Sequence, residues 1–139
     1  MIIRWKVTKD DRTSPHAEGK YYKEYLKNTI VKANKNTLGL MTFKTKEQAA
    51  TWANRSVIRT RILKVRPIGR GKVPIVLANR DYFNLFYKHK RTLNSKKIAK
   101  LLRLKGDGRR FDYRIGDRDI ILWPVPEGTV CYPAVEVLE

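Results

Sequence analysis

Apolar positions at Ile2, Trp5 and Val7 open the chain as a short β-prone run and predict a first strand. The stretch "TKDDRTSPHAEG" that follows is polar and rich in turn formers, and reads as a loop. "KYYKEYLK" alternates again. Tyr21, Lys23 and Tyr25 fall on one face and Tyr22, Glu24 and Leu26 on the other, which predicts a second strand. The Asn-rich "KANKNTLG" predicts a turn, and "GLMTF" a third strand. At Thr45 the period changes. Thr45 and Gln48 have the spacing of a capping box, so a short helix is expected through Ala49, Ala50, Trp52 and Ala53, ending near Asn54.

"SVIRTRILKVRP" is rich in β-branched residues and predicts a strand stopped by Pro67. Arg59 and Arg61 share a face with Leu63 and Val65, while Ile58, Thr60 and Ile62 share the other with Lys64 and Arg66. Each face changes polarity along its length, so a bulge, or departure from the sheet partway, is expected. "IGRGK" (68–72) reads as a turn or exposed loop. Two helices are then predicted. One follows Asn79 with Tyr82, Phe83, Phe86 and Tyr87 at helical spacing; the other is capped by Ser95, with Ile98, Leu101 and Leu102 inward and Gly106 past its end. "RRFDYRI", "RDIILWPV" and "TVCYPAVEVL" predict three strands joined by two tight turns.

The expected fold is therefore α+β. It is one domain over 1–139, with a mixed or antiparallel sheet, two to three short helices and a C-terminal β-meander. Its parts are an N-terminal β/α region (about 1–77), a basic helical pair (about 79–105) and the meander (about 109–139).

Charge sharpens this picture. The 139 residues carry a formal net charge of +18. Residues 57–110 hold 17 basic side chains against 2 acidic ones, whereas 111–139 hold 2 basic against 6 acidic. Such asymmetry points to a polyanionic partner. The residues expected to neutralise phosphates are Arg59, Arg61, Arg66, Arg70, Lys72, Lys88, Lys90, Arg91, Lys96, Lys97, Lys100, Arg103, Arg109 and Arg110. Lys96, Lys100 and Arg103 line one helical face. Phe83, Phe86 and Tyr87 read as core rather than as a stacking surface. In "GRGK" the Gly-to-Lys spacing is too short for a P-loop, and Val73 follows the Lys where Ser or Thr is needed. Arg66, Arg70 and Lys72 around the two glycines remain a candidate phosphate contact.

Enzyme signatures are sparse. His16 and His89 do not stand at metal-ligand spacing with a cysteine, so neither a metal nor a cofactor is expected. Asp10-Asp11 reads as a turn element. Cys131 is the single cysteine, so an intramolecular disulfide is excluded, and its apolar neighbours suggest a buried packing thiol. No run approaches the roughly 18 apolar residues that span a bilayer, and no secretory h-region is seen, so a cytoplasmic protein without a membrane partner is expected.

The segments "RWKVTKDDRTSP", "KYYKEY", "GLMTFKTKEQAATWA" and "ILKVRPIGRG" resemble small uncharacterised proteins encoded by phages and prophages. That resemblance covers roughly residues 3–71 and implies a mobile-element accessory protein. "LNSKKIAKLLRLKG" resembles the opening helix of helix-turn-helix DNA-binding domains, but a hairpin pattern follows it where those domains place a recognition helix. The order of strand, aromatic strand, helix and strand resembles ADP-ribosyltransferase-like folds. It implies Arg4, Tyr25 and Glu136 as catalytic candidates, although the late Q/E-x-E element of those enzymes does not occur in this sequence. The leading expectation is a non-enzymatic binder of DNA or RNA through phosphate contacts. The alternatives are an inhibitor of a host defence or nucleic-acid enzyme, acting on an acidic protein surface or a nucleotide second messenger, and a degenerate ADP-ribosyltransferase.

Overall fold

The computed structural model describes residues 1–15, 22–35, 39–73, 76–78, 111–115 and 118–139, the strands at 76–78, 111–115 and 118–124 through their backbone. The elements in chain order are β1 (Arg4–Lys9), β2 (Ile30–Lys32), β3 (Leu40–Phe43), α1 (Lys46–Ala53), β4 (Thr60–Ile68), β5 (Val76–Ala78), β6 (Phe111–Ile115), β7 (Arg118–Pro124), β8 (Thr129–Tyr132) and β9 (Ala134–Val137). Six strands form one sheet in the order β2-β9-β4-β1-β3-β8, and three form another in the order β5-β7-β6. Every pairing in both sheets is antiparallel.

The larger sheet closes on itself. β1 pairs with β4, β4 with β9, β8 with β3, and β3 with β1. Only Pro133 separates β8 from β9, so residues 129–137 act as one bent strand that serves both walls of a ring. Inside lie Tyr25, Val31, Leu40, Leu63, Val65, Val130, Tyr132, Val135 and Val137. Register places Lys6 beside Leu63 and Arg4 beside Val65, so alternate residues of β1 also face inward. The opposite face of β1 and β3 is covered by α1. There Val7 and Phe43 are buried with Ala49 and Ala53, and the Phe43 and Trp52 rings lie 5.8 Å apart.

α1 forms where its cap predicts. Thr45 Oγ1 accepts from the Gln48 amide at 3.1 Å, and Gln48 Oε1 accepts from the Thr45 amide at 3.2 Å. Ala49 and Ala53, four apart, are its buried residues, because only small side chains let so short a helix lie close to the sheet.

Several expectations are corrected. Residues 22–27 of the "KYYKEYLK" stretch do not form a strand. Their link to a strand-like neighbour is a single bridge between Thr13 and Glu24. The segment bonds instead to the preceding loop. Ser14 N donates to Lys23 O and Tyr25 N to Arg12 O, which drops Tyr25 into the core. The loop expected from residue 8 starts later, because Thr8 and Lys9 belong to β1. β2 lies between the expected second strand and the expected turn, overlapping the turn only at Lys32, and is not foreseen because its three residues are too few to show a period.

Pro67 does not stop β4, which runs on to Ile68. β1 ends its pairing at Val65, so beyond that point β4 has β9 as its partner and a free edge where a missing N–H costs nothing. Register with β1 is unbroken from Thr60 to Val65, so no bulge lies there. The irregularity sits just past the strand. Ile68 faces Ala134 and Lys72 faces Cys131, so four steps on one side span three on the other.

The C-terminal strands do not form one meander. β6 and β7 make the expected hairpin but join β5, whereas β8 and β9 belong to the ring. Among the described residues α1 is the one helix, and the expected helical pair at 79–105 lies outside them.

Candidate phosphate-binding surface

β4 and its continuation present the described candidates. Arg59, Arg61, Arg66, Arg70 and Lys72 are all exposed. They do not converge on one face. Arg61 lies on the inward side with Leu63 and Val65, at the open end of the ring, while Arg66 lies on the outward side. Two of them are held by acids. Arg61 Nη2 stands 3.8 Å from Asp10 Oδ1, and Arg66 Nε 3.2 Å from Glu136 Oε1. Arg59, Arg70 and Lys72 meet no carboxylate among the described residues. Lys88, Lys90, Arg91, Lys96, Lys97, Lys100, Arg103, Arg109 and Arg110 lie outside the described residues.

The glycines of "IGRGK" have a packing role. A Cβ on Gly69 would stand 2.5 Å from Pro133 Cγ, and one on Gly71 2.8 Å from both Tyr132 Cε1 and Val130 Cγ1. Lys72 and Cys131 then exchange both backbone hydrogen bonds at 2.8 Å. The glycines thus seal the seam between β4 and the bent strand. That seam fixes the backbone that carries Arg70 and Lys72 into solvent.

A further basic and aromatic group lies on the outward face of β1. Trp5 is half-buried, with Lys64 directly across from it on β4 and Phe43 on β3. Lys46 Nζ sits 5.5 Å from the Trp5 ring centroid. Lys46 is the first residue of α1, where the helix dipole disfavours a cation, so its position is set by the ring and not by the helix. The sequence places Trp5 in a strand and says nothing of what covers it. The usable signal was the pair of lysines, but Lys46 is forty-one positions away and only the fold brings it over the ring.

The remaining chemistry is inward. Lys6 Nζ is buried and donates to Met41 O at 2.9 Å, with the Tyr25 ring centroid 5.1 Å away. Burial pushes its pKa down to about 8, against a weaker opposing pull from Cys131. Burial likewise pushes the Cys131 thiol up to about 12 and raises the Tyr25 phenol, so neither is primed as a nucleophile. Asp11 is a turn element: Thr13 donates to its Oδ1 through N at 3.2 Å and Oγ1 at 2.5 Å, which holds its pKa low.

The three residues implied by the ADP-ribosyltransferase resemblance do not meet. Arg4 Nε donates to Tyr132 OH at 3.0 Å on the inward side, Tyr25 is 1% exposed, and Glu136 faces outward against Arg66. A shallow hollow of about 150 Å³ lies between α1 and Pro126-Glu127, and its lining holds one cation, Arg55, and one acid, Glu127. Among the described residues no helix is long and apolar enough to cross a membrane.

No family model, no curated protein and no solved structure matches this chain.

Proposed function

We propose that the chain binds DNA or RNA through phosphate contacts, as an accessory factor of a phage or other mobile element working inside a host cell. The observation that carries this reading is the balance of 17 basic to 2 acidic side chains over residues 57–110. Arg59, Arg70 and Lys72 support it, being exposed without a carboxylate partner among the described residues. Cations free of internal partners give up little on meeting phosphates, and each such meeting releases condensed counterions. The Arg61–Asp10 and Arg66–Glu136 pairs would compete with phosphate, so those two side chains contribute less.

The test is the salt dependence of binding to a labelled duplex and to a labelled single strand of the same length. The logarithm of affinity should fall steeply and linearly with the logarithm of salt concentration, with a slope close to the number of phosphates engaged. A flat response on both probes defeats the reading.

A further inference from the structure

Unlike Arg59, Arg70 and Lys72, the Trp5 surface joins an aromatic ring to cations. Lys9 lies over the exposed Tyr22 ring in the same way, 5.5 Å from its centroid, but at Trp5 lysines from two other elements, α1 and β4, meet one ring. Part of the ring's surroundings is accounted for by the fold: Phe43 and Lys64 flank it by register, and Val7, two residues on, is buried under α1. Over the ring lies the ammonium of an exposed lysine, Lys46. An exposed ammonium over a ring, as Lys46 is here, is worth about 0.5–1 kcal/mol. A nucleobase stacked on an aromatic side chain is worth about 1–3 kcal/mol. The base therefore wins the ring, and the displaced ammonium stays within reach of the phosphate that the same nucleotide carries. Lys64, whose Cβ is roughly 5 Å from that of Trp5 in an antiparallel pair, can meet a neighbouring phosphate from the other side.

We propose that Trp5, Lys46 and Lys64 form a stacking site for an unpaired nucleobase, so that the preferred polyanion is single-stranded nucleic acid. This rests on the phosphate-binding reading above and adds to it a choice between strands. Paired bases are stacked on each other and offer no free face to Trp5. The outward side of β1 therefore discriminates against duplex, while Arg59, Arg70 and Lys72 treat both alike.

The experiment uses the full chain with two probes at one salt concentration, a short oligothymidylate and an abasic chain of equal length and charge. Oligothymidylate should bind about ten-fold tighter, a ratio that Trp5→Leu abolishes by weakening that probe alone. Lys46→Gln should weaken both probes modestly. Because Trp5→Leu can perturb the sheet, a second readout uses the intact protein. Its tryptophan fluorescence should be quenched by oligothymidylate and not by the abasic chain, and Trp5→Phe should remove the quenching. Equal affinity for the two probes, or quenching that survives Trp5→Phe, overturns the stacking site while salt-dependent binding still upholds the phosphate reading. Loss of salt-dependent binding to both probes overturns the two together.

Discussion

The ammonium of Lys6 donates to the carbonyl oxygen of Met41 at 2.9 Å from inside the closed ring of strands. Its other near neighbour is the Tyr25 ring, and no carboxylate among the described residues meets it. A cation held this way is tolerated rather than stabilised, so the fold gains when alkali removes its proton.

Stability should rise from pH 8 to pH 9. The folded protein has half lost the Lys6 proton at about pH 8, whereas the unfolded chain reaches that point only at 10.5, so the unfolded state binds more protons over that interval. Cys131 acts oppositely: the unfolded thiol ionises from 9.0 and the folded one only at about 12, which favours unfolding as pH climbs. The raised Tyr25 phenol adds to that loss from 10.0 upward. Urea midpoints measured across this range should climb, level off and then fall.

Lys6→Met should remove the rise between pH 8 and 9 and raise stability at neutral pH by on the order of 2 kcal/mol, because a buried cation with no partner acid among the described residues is exchanged for an apolar side chain of similar length. Urea unfolding at two pH values checks it. A wild-type-like pH profile in the variant would assign the effect to another group.

Gly39→Ala and Gly71→Ala should separate. Gly39 has φ +107° and its added Cβ would strike the Tyr132 backbone carbonyl, which cannot yield without breaking the β3–β8 ladder. A loss of about 3 kcal/mol is expected. At Gly71 the obstacles are side-chain atoms of Tyr132 and Val130, which can shift, so about 1 kcal/mol is expected. Thermal unfolding of the two variants gives the order.

Thr45→Ala removes one half of the box that starts α1, and should lower stability by about 1 kcal/mol. Thr45→Ser should restore most of it, which melting curves of the two variants will show.

Replacing Arg59, Arg70 and Lys72 together by Gln should reduce the salt slope of nucleic-acid binding by up to about three, roughly one for each phosphate no longer neutralised. Replacing Arg61 and Arg66 should reduce it less, since their charges are already engaged by Asp10 and Glu136. Affinities measured at several salt concentrations distinguish the sets.

Local signals are legible in the sequence and pairings are not. The cap at Thr45, the runs at β1 and β3 and the buried state of Cys131 follow from neighbours in the chain, and the structure has each of them. The aromatic alternation around Tyr25 carries the right period and the wrong outcome, because its hydrogen bonds go to Arg12 and Ser14 instead of a sheet neighbour. Pro67 looks like a terminator because its tolerance depends on where β1 stops, a long-range fact. For the candidate site, the exposure of Arg70 and Lys72 is legible from the loop reading of "IGRGK", whereas that of Arg59 is not, since it shares a strand face with the buried Leu63 and Val65. The engagement of Arg66 by Glu136 is not, for it needs the pairing of strands seventy residues apart.

The bend at Pro133 has a consequence for how the chain is made. Because residues 129–137 stitch both walls, nothing synthesised before them can complete the circle, and hydrophobic surface on β3 and β4 waits uncovered until the tail of the domain leaves the ribosome. A released chain truncated before Thr129 should therefore be prey to proteases and chaperones, whereas one that runs through Val137 should be resistant.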